Sequence, residues 1–273
     1  QFIKEIGEIQ PDLLHLVPRV LQMIKKKIEF LDKPLIRCIL PLILKKIFGR
    51  NLLTIFIGGS QLDVATKNFY NNHNIIICEG YGCTETSPMI SVNHISYPRN
   101  IDSVGMIMDD LIVEIINNEI CVHGPSVMKG YYNNSEATDN AFVEKDNKLF
   151  YKTGDEGYVK DGFVFYQGRI SENYKLSNGK FIEVDYYEKK ISHLFNNPYM
   201  IYGDNREYNI LITENNDDND LINKINKELP KYVQIKNILN LDENSFSDFL
   251  TPKMSLKRKE LTNFYQDKIE KYY

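Results

Sequence analysis

The chain has 273 residues, 42% of them hydrophobic, and a formal net charge of -4. That is room for one or two domains with a proper core, which excludes a disordered chain, and the mild negative balance argues against general nucleic-acid binding. The four cysteines, Cys38, Cys78, Cys83 and Cys121, show no Cys-x-x-Cys spacing and no accompanying His cluster, so neither a metal site nor a disulfide framework is expected and a reducing cytosol fits best.

Residues 1–50 read as helix-like, with basic residues about twice as frequent as acidic ones. The apolar stretch Pro34–Phe48 is too short to span a membrane and is interrupted by Arg37 and Pro41. It reads either as a basic surface for peripheral docking on anionic lipid or, the reading favoured here, as core helix with solvated lysines. Leu53–Ile57 is the clearest strand and runs into Gly58-Gly59-Ser60. After a helix-length spacer Ile75–Cys78 reads as a second buried strand, so the pattern is strand, crossover, strand, as in a parallel sheet with ligands at the strand C-terminal ends. Residues 111–116 and 119–123 flank Asn117-Asn118 and predict a hairpin. Asp161-Gly162 predicts a further turn before Phe163–Tyr166, which makes the middle of the chain β-rich. Phe181 to Leu194 reads as an amphipathic helix, Tyr199–Tyr202 and Tyr208–Ile212 as strands, and a helix ends at Leu229. The acidic run 215–220 before that helix lacks the Gly and distal Glu of a calcium loop and reads as a solvated turn.

The most informative segment is Glu79-Gly80-Tyr81-Gly82-Cys83-Thr84-Glu85-Thr86-Ser87-Pro88. Gly80 and Gly82 let backbone approach a ligand closely. Tyr81 offers a ring face on which a base can stack. Thr84 can donate to a phosphate oxygen, and Glu85 can hold Mg2+. A plain strand-to-loop turn, with Glu85 capping a helix, is the competing reading.

Companion segments occur in order along the chain: Gly58-Gly59-Ser60-Gln61-Leu62, Ser103-Val104-Gly105, Gly124–Tyr132, Tyr151-Lys152-Thr153-Gly154-Asp155, Gly168-Arg169 before Lys175–Lys180, and Leu250-Thr251-Pro252. With these the chain resembles the adenylate-forming superfamily, which includes acyl-CoA synthetases, luciferases and amino-acid adenylation domains. Val17-Pro18-Arg19-Val20, Tyr202–Asn209 and the Leu-Thr-Pro ending followed by Leu256-Lys257-Arg258 are most similar to the long-chain fatty-acyl branch. The resemblance implies an α/β fold: the C-terminal part of the adenylate-forming fold, with a parallel sheet and helices, a small β-rich subdomain, and a small mobile α+β C-terminal domain. Residues 1–170 are then the C-terminal portion of the large adenylation domain and 171–273 the small domain. The family's Ser/Thr/Gly-rich phosphate loop belongs upstream of Val17-Pro18-Arg19 and is not found there, so a fragment of a longer synthetase, inactive in isolation, is expected.

The implied activity is an ATP-dependent long-chain fatty acid–CoA ligase working through an acyl-adenylate, with fatty acid, ATP and CoA as partners and Mg2+ as cofactor. A ligase for a medium-chain or aryl acid remains open, as does a catalytically impaired paralogue that binds nucleotide or acyl-CoA. Asp155 is expected to accept from both ribose hydroxyls. Arg169 serves ribose or phosphate, or else forms a structural salt bridge. Gly58, Gly59 and Ser60 line the adenine edge, and Gly179 in the Asn178-Gly179 turn leaves a slot for the pantetheine arm. The expected catalytic lysine aligns with Ser255, so Lys253, two residues away and on the same face of an extended loop, is the candidate replacement and Lys257 the alternative.

Overall fold

The computed structural model describes the chain except residues 1, 35–36, 60–61, 97, 196, 215–219 and 252–254, and the side chains of 2–4, 7 and 37. The described chain divides into two compact units, one of residues 1–153 and 157–166, the other of 154–156 and 167–273.

The first unit opens with α1 (Phe2–Ile9), β1 (Leu13–Leu16), α2 (Pro18–Ile28), α3 (Leu40–Phe48), β2 (Thr54–Ile57), α4 (Val64–Asn71) and β3 (Ile76–Tyr81). β1, β2 and β3 are parallel neighbours. The expected crossover is the helix α4, capped by the Asp63 carboxylate, which accepts from Thr66 N–H at 2.7 Å. Leu40, Leu44 and Phe48 recur at helical spacing and are buried, and pack with Leu21, Ile55, Ile57 and Tyr70 into one cluster. Tyr70 keeps its hydroxyl satisfied in that core by donating to the Leu21 carbonyl at 2.7 Å. The helix-like expectation for residues 1–50 is corrected at β1. Its four residues show no strong strand pattern, and the register Leu13↔Thr54 to Leu16↔Ile57 is set by pairing with β2.

β4 (Ser91–Val92), β5 (Met106–Ile107), β6 (Ile112–Ile116), β7 (Glu119–His123), α5 (Ser135–Ala141), β8 (Phe142–Lys145), β9 (Lys148–Lys160) and β10 (Phe163–Arg169) complete the β-rich part. They extend the sheet in the order β1-β2-β3-β4-β5-β10-β9-β7-β6, with β8 on β9. The turn between β6 and β7 has Asn117 and Asn118 at φ 52° and 67°, the positive values a two-residue hairpin requires. Asp146-Asn147 makes a like turn between β8 and β9, at φ 50° and 58°.

In the second unit β11 (Tyr174–Lys175) and β12 (Phe181–Ile182) form a small ribbon, followed by α6 (Val184–Ile191), β13 (Tyr199–Tyr202), β14 (Asn209–Glu214), α7 (Leu221–Glu228), β15 (Ile235–Leu241), α8 (Arg258–Phe264) and α9 (Gln266–Ile269). The helix expected over 181–194 is therefore shorter, because Phe181 and Ile182 pair with Lys175 and Tyr174. β14 is the central strand of β13-β14-β15 and is buried throughout. Its alternating side chains feed two cores: Leu211 packs with Tyr187, Ile191 and Ile225, while Ile210 and Ile212 pack with Leu261 and Ile269. The acidic run 215–219 lies outside the described residues.

Candidate functional site

In the first unit, the glycine motifs stand at the carboxyl ends of two adjacent parallel strands. Ile57 is in register with Glu79, so Gly58 follows β2 where Gly80 and Tyr81 end β3. A Cβ on Gly58 would lie 3.8 Å from the Gly80 carbonyl. Past Tyr81 the chain tightens: a Cβ on Gly82 would lie 2.0 Å from the Pro88 carbonyl oxygen, a space no other residue fits. Thr84–Thr86 form a single 3-10 turn whose entry is held by Cys83 N–H donating to Thr86 Oγ1 at 3.2 Å. Thr84 is exposed and Glu85 half-buried. Tyr81 packs its ring against Tyr166, with centroids 5.9 Å apart.

Glu85 is gripped from another block. Tyr131 Oη donates to Glu85 Oε1 at 2.9 Å, and Met128 N–H donates to the Glu85 carbonyl at 2.8 Å. Burial and this bond to a carboxylate both push the Tyr131 phenol up, which keeps it a donor. Cys83 and Thr86 make the turn's cap, so Glu85 is held as an oriented carboxylate. Its donor set suits Mg2+, an ion that takes one or two carboxylates and fills the rest of its shell with phosphate and water. No group of three or more His, Cys, Asp or Glu that could hold a metal occurs among the described residues.

The second unit holds Asp155 and Arg169. Asp155 is 6% exposed and its Oδ1 lies 3.1 Å from Arg169 Nη1. These two candidates are thus paired, with the guanidinium about half-exposed beside the carboxylate. Gly179 sits in an open turn at φ 84°, closed by its N–H donating to the Leu176 carbonyl at 2.8 Å, and a Cβ there would meet nothing within 4 Å. Ser60 and Lys253 lie outside the described residues. On either side of Lys253, Thr251 N–H donates to the Ser255 carbonyl at 2.8 Å and Ser255 N–H to Thr251 Oγ1 at 3.1 Å. Lys257 points its ammonium at Glu260, 3.1 Å away.

Lys67 escaped the sequence reading, and Tyr131 and Glu79 were visible only as parts of motifs, with no role of their own. Lys67 and Glu79 form an ion pair with both side chains 3% exposed. The available signal was position: Lys67 falls on the buried stripe of α4 with Thr66, Phe69 and Tyr70, where a lysine needs a partner.

A protein-family model described as AMP-binding enzyme matches residues 1–132. Among curated relatives, the probable 4-coumarate–CoA ligase 2 of Dictyostelium discoideum is 36% identical over 138 residues, covering 45% of this chain and 24% of that protein. The chloroplastic long-chain-fatty-acid–[acyl-carrier-protein] ligase AEE15 of Arabidopsis thaliana is 25% identical over 258 residues, covering 79% of this chain and 35% of that protein. The chain thus spans roughly a quarter to a third of these relatives' lengths. A solved A-PCP didomain of carboxylic acid reductase from Segniliparus rugosus, in complex with AMP, superposes with a TM-score of 0.80 at 18% identity over 100% of this chain and 43% of that one. The AMP-binding enzyme match and this superposition together establish the α/β adenylate-forming fold.

Proposed function

We propose that this chain works as part of an ATP-dependent acid–thiol ligase that joins a carboxylate to a thiol, CoA in the reading favoured here, through an acyl-adenylate. The observation that carries the reading is the Glu85–Tyr131 bond, which unites two motif blocks on an oriented carboxylate at the strand ends where α/β sheets bind ligands. In this reading residues 1–170 are the C-terminal portion of a large adenylation domain and 171–273 a small C-terminal domain. Gly58, Gly59 and Ser60 line the adenine, Tyr81 stacks on it, and Asp155 with Arg169 engages the ribose. Thr84 donates to the phosphates and Glu85 holds Mg2+, which supplies positive charge where two anions meet at phosphorus. Gly179 leaves room for the thiol's arm. We favour a long-chain fatty acid as the carboxylate; the resemblance to the AEE15 ligase supports this, and that to a 4-coumarate ligase keeps an aryl acid as the alternative.

ATP–pyrophosphate exchange by the full-length gene product, with palmitate, octanoate and 4-coumarate supplied separately, tests the reading. Exchange dependent on palmitate is expected; none with any acid overturns it. A second reading, a nucleotide-binding paralogue without adenylation, is favoured by Ser255 at the lysine position and by the engagement of Lys257 with Glu260.

Asp155→Ala is expected to weaken ATP binding about 10- to 100-fold, the loss of charge-assisted hydrogen bonds worth about 1.5–3 kcal/mol. Calorimetric titration measures this, and unchanged affinity would remove Asp155 from the ribose. Lys253→Ala should cut carboxylate-dependent exchange about 100-fold, since a positive charge is lost from the developing transition state. If Lys257→Ala alone has that effect, Lys253 is not the substitute.

A further inference from the structure

We propose that Glu79 is a positioning residue for nucleotide binding: its carboxylate, with Lys67 as buried counter-charge, fixes Leu62, the residue at which the Gly58-Gly59-Ser60-Gln61-Leu62 block ends. The inference rests on the proposed adenylate-forming reading. Glu79 stands on β3 directly before Gly80, and its Oε1 accepts from Leu62 N–H at 2.9 Å. Both residues are buried, at 2% and 1% exposure. Lys67 Nζ pairs with Glu79 Oε2 and also donates to the Ile101 carbonyl at 3.0 Å. The Glu79 backbone carbonyl accepts from Asn93 N–H at 2.8 Å. One carboxylate therefore ties together the loop after β2, the helix α4, the strand carrying the second glycine motif and, through Lys67, the segment that leads into Ser103-Val104-Gly105.

Stability alone does not account for two charges placed here, because a buried ion pair is often replaced by apolar side chains without loss. An apolar pair would leave Leu62 N–H without its acceptor, and a buried N–H must have one. A carboxylate accepts more strongly than a neutral group but is tolerated inside only beside a cation. The pair is thus explained by the segment end it anchors, and that segment carries all three residues proposed to line adenine, Gly58, Gly59 and Ser60.

Two double variants in the full-length protein separate these contributions. K67M/E79M removes both charges and the acceptor. K67M/E79Q removes both charges and keeps an amide oxygen for Leu62 N–H. We expect K67M/E79M to weaken ATP binding about tenfold, the loss of one net hydrogen bond of about 1.4 kcal/mol, with faster exchange of the Leu62 amide and an unchanged KM for the carboxylate. K67M/E79Q should bind ATP within about twofold of wild type, since one acceptor is exchanged for another. Wild-type ATP affinity in K67M/E79M overturns the inference. So does an equal loss in both variants accompanied by a fall in Tm and a raised carboxylate KM, which marks a general core role. If K67M/E79M does not fold, tenfold weaker binding by K67M/E79Q at wild-type Tm overturns it. Wild-type protein that binds no ATP overturns the proposed function and this inference with it.

Discussion

Glu85→Gln in the full-length protein is expected to lower Mg2+-dependent ATP–pyrophosphate exchange about 100- to 1000-fold, the usual cost of removing one preorganised electrostatic group. The amide keeps the size of the side chain and can still accept from Tyr131, so the 2.9 Å bond to that phenol survives and the fold of the 124–132 block with it. What is lost is the negative charge proposed to hold a divalent cation against phosphate. Mg2+ titration of exchange, read beside a melting curve, measures the effect: activity should fall and stay low at high Mg2+, with Tm unchanged. Retained activity would assign Glu85 to holding the Tyr131 block alone. Tyr131→Phe should act more weakly, raising the Mg2+ requirement about tenfold through loss of a bond to a charged group.

Arg258→Ala is expected to destabilise the second unit by about 3–5 kcal/mol, as breaking a buried ion pair by removing one partner does. Arg258 Nη1 donates to both Glu188 oxygens at 2.9 and 3.0 Å, and Nη2 to the Ile201 carbonyl at 2.6 Å. The pair is 12% and 16% exposed. Burial pushes the Glu188 carboxyl up from 4.5 to about 7, with Arg258 and the Ile201 N–H pulling it down. A carboxyl raised in this way contributes stability that is full below its unfolded pKa of 4.5 and is lost as pH rises through the folded value, about 7. Removing Arg258 moves the upper edge of that window higher, so the variant's deficit should be larger at pH 8 than at pH 5. Urea unfolding at both pH values checks this, and a deficit under about 1 kcal/mol at pH 8 would rank the pair with surface bridges. Arg258 opens α8 immediately after the segment of Lys253 to Lys257, so its loss also removes the fixed end of the proposed lysine loop.

Periodicity and turn chemistry made much of the architecture legible. The run Leu53–Ile57 ending in glycines, the Asn117-Asn118 hairpin and the Asp161-Gly162 turn are local signals, set by side-chain alternation and by residues that accept positive φ. β1 was not legible, because four residues between two helices acquire strand character only from the edge of β2. The helix over 181–194 began too early for the same reason, since Phe181 and Ile182 are drawn into a ribbon with Tyr174 and Lys175.

For the candidate site, the sequence by itself determined the inventory: glycines at the ends of two strands, a Thr-Glu pair, an Asp after Thr-Gly, and an Arg after Gly. Those are chemical identities and spacings, and they depend on no contact. Only the tertiary structure decided who meets whom. Tyr131 reaches Glu85 across 46 positions, Asp155 faces Arg169, and Lys67 turns inward to Glu79. Each pairing requires side chains from separate parts of the chain to meet, and the packed cores beneath the strands, not the motifs, set that approach.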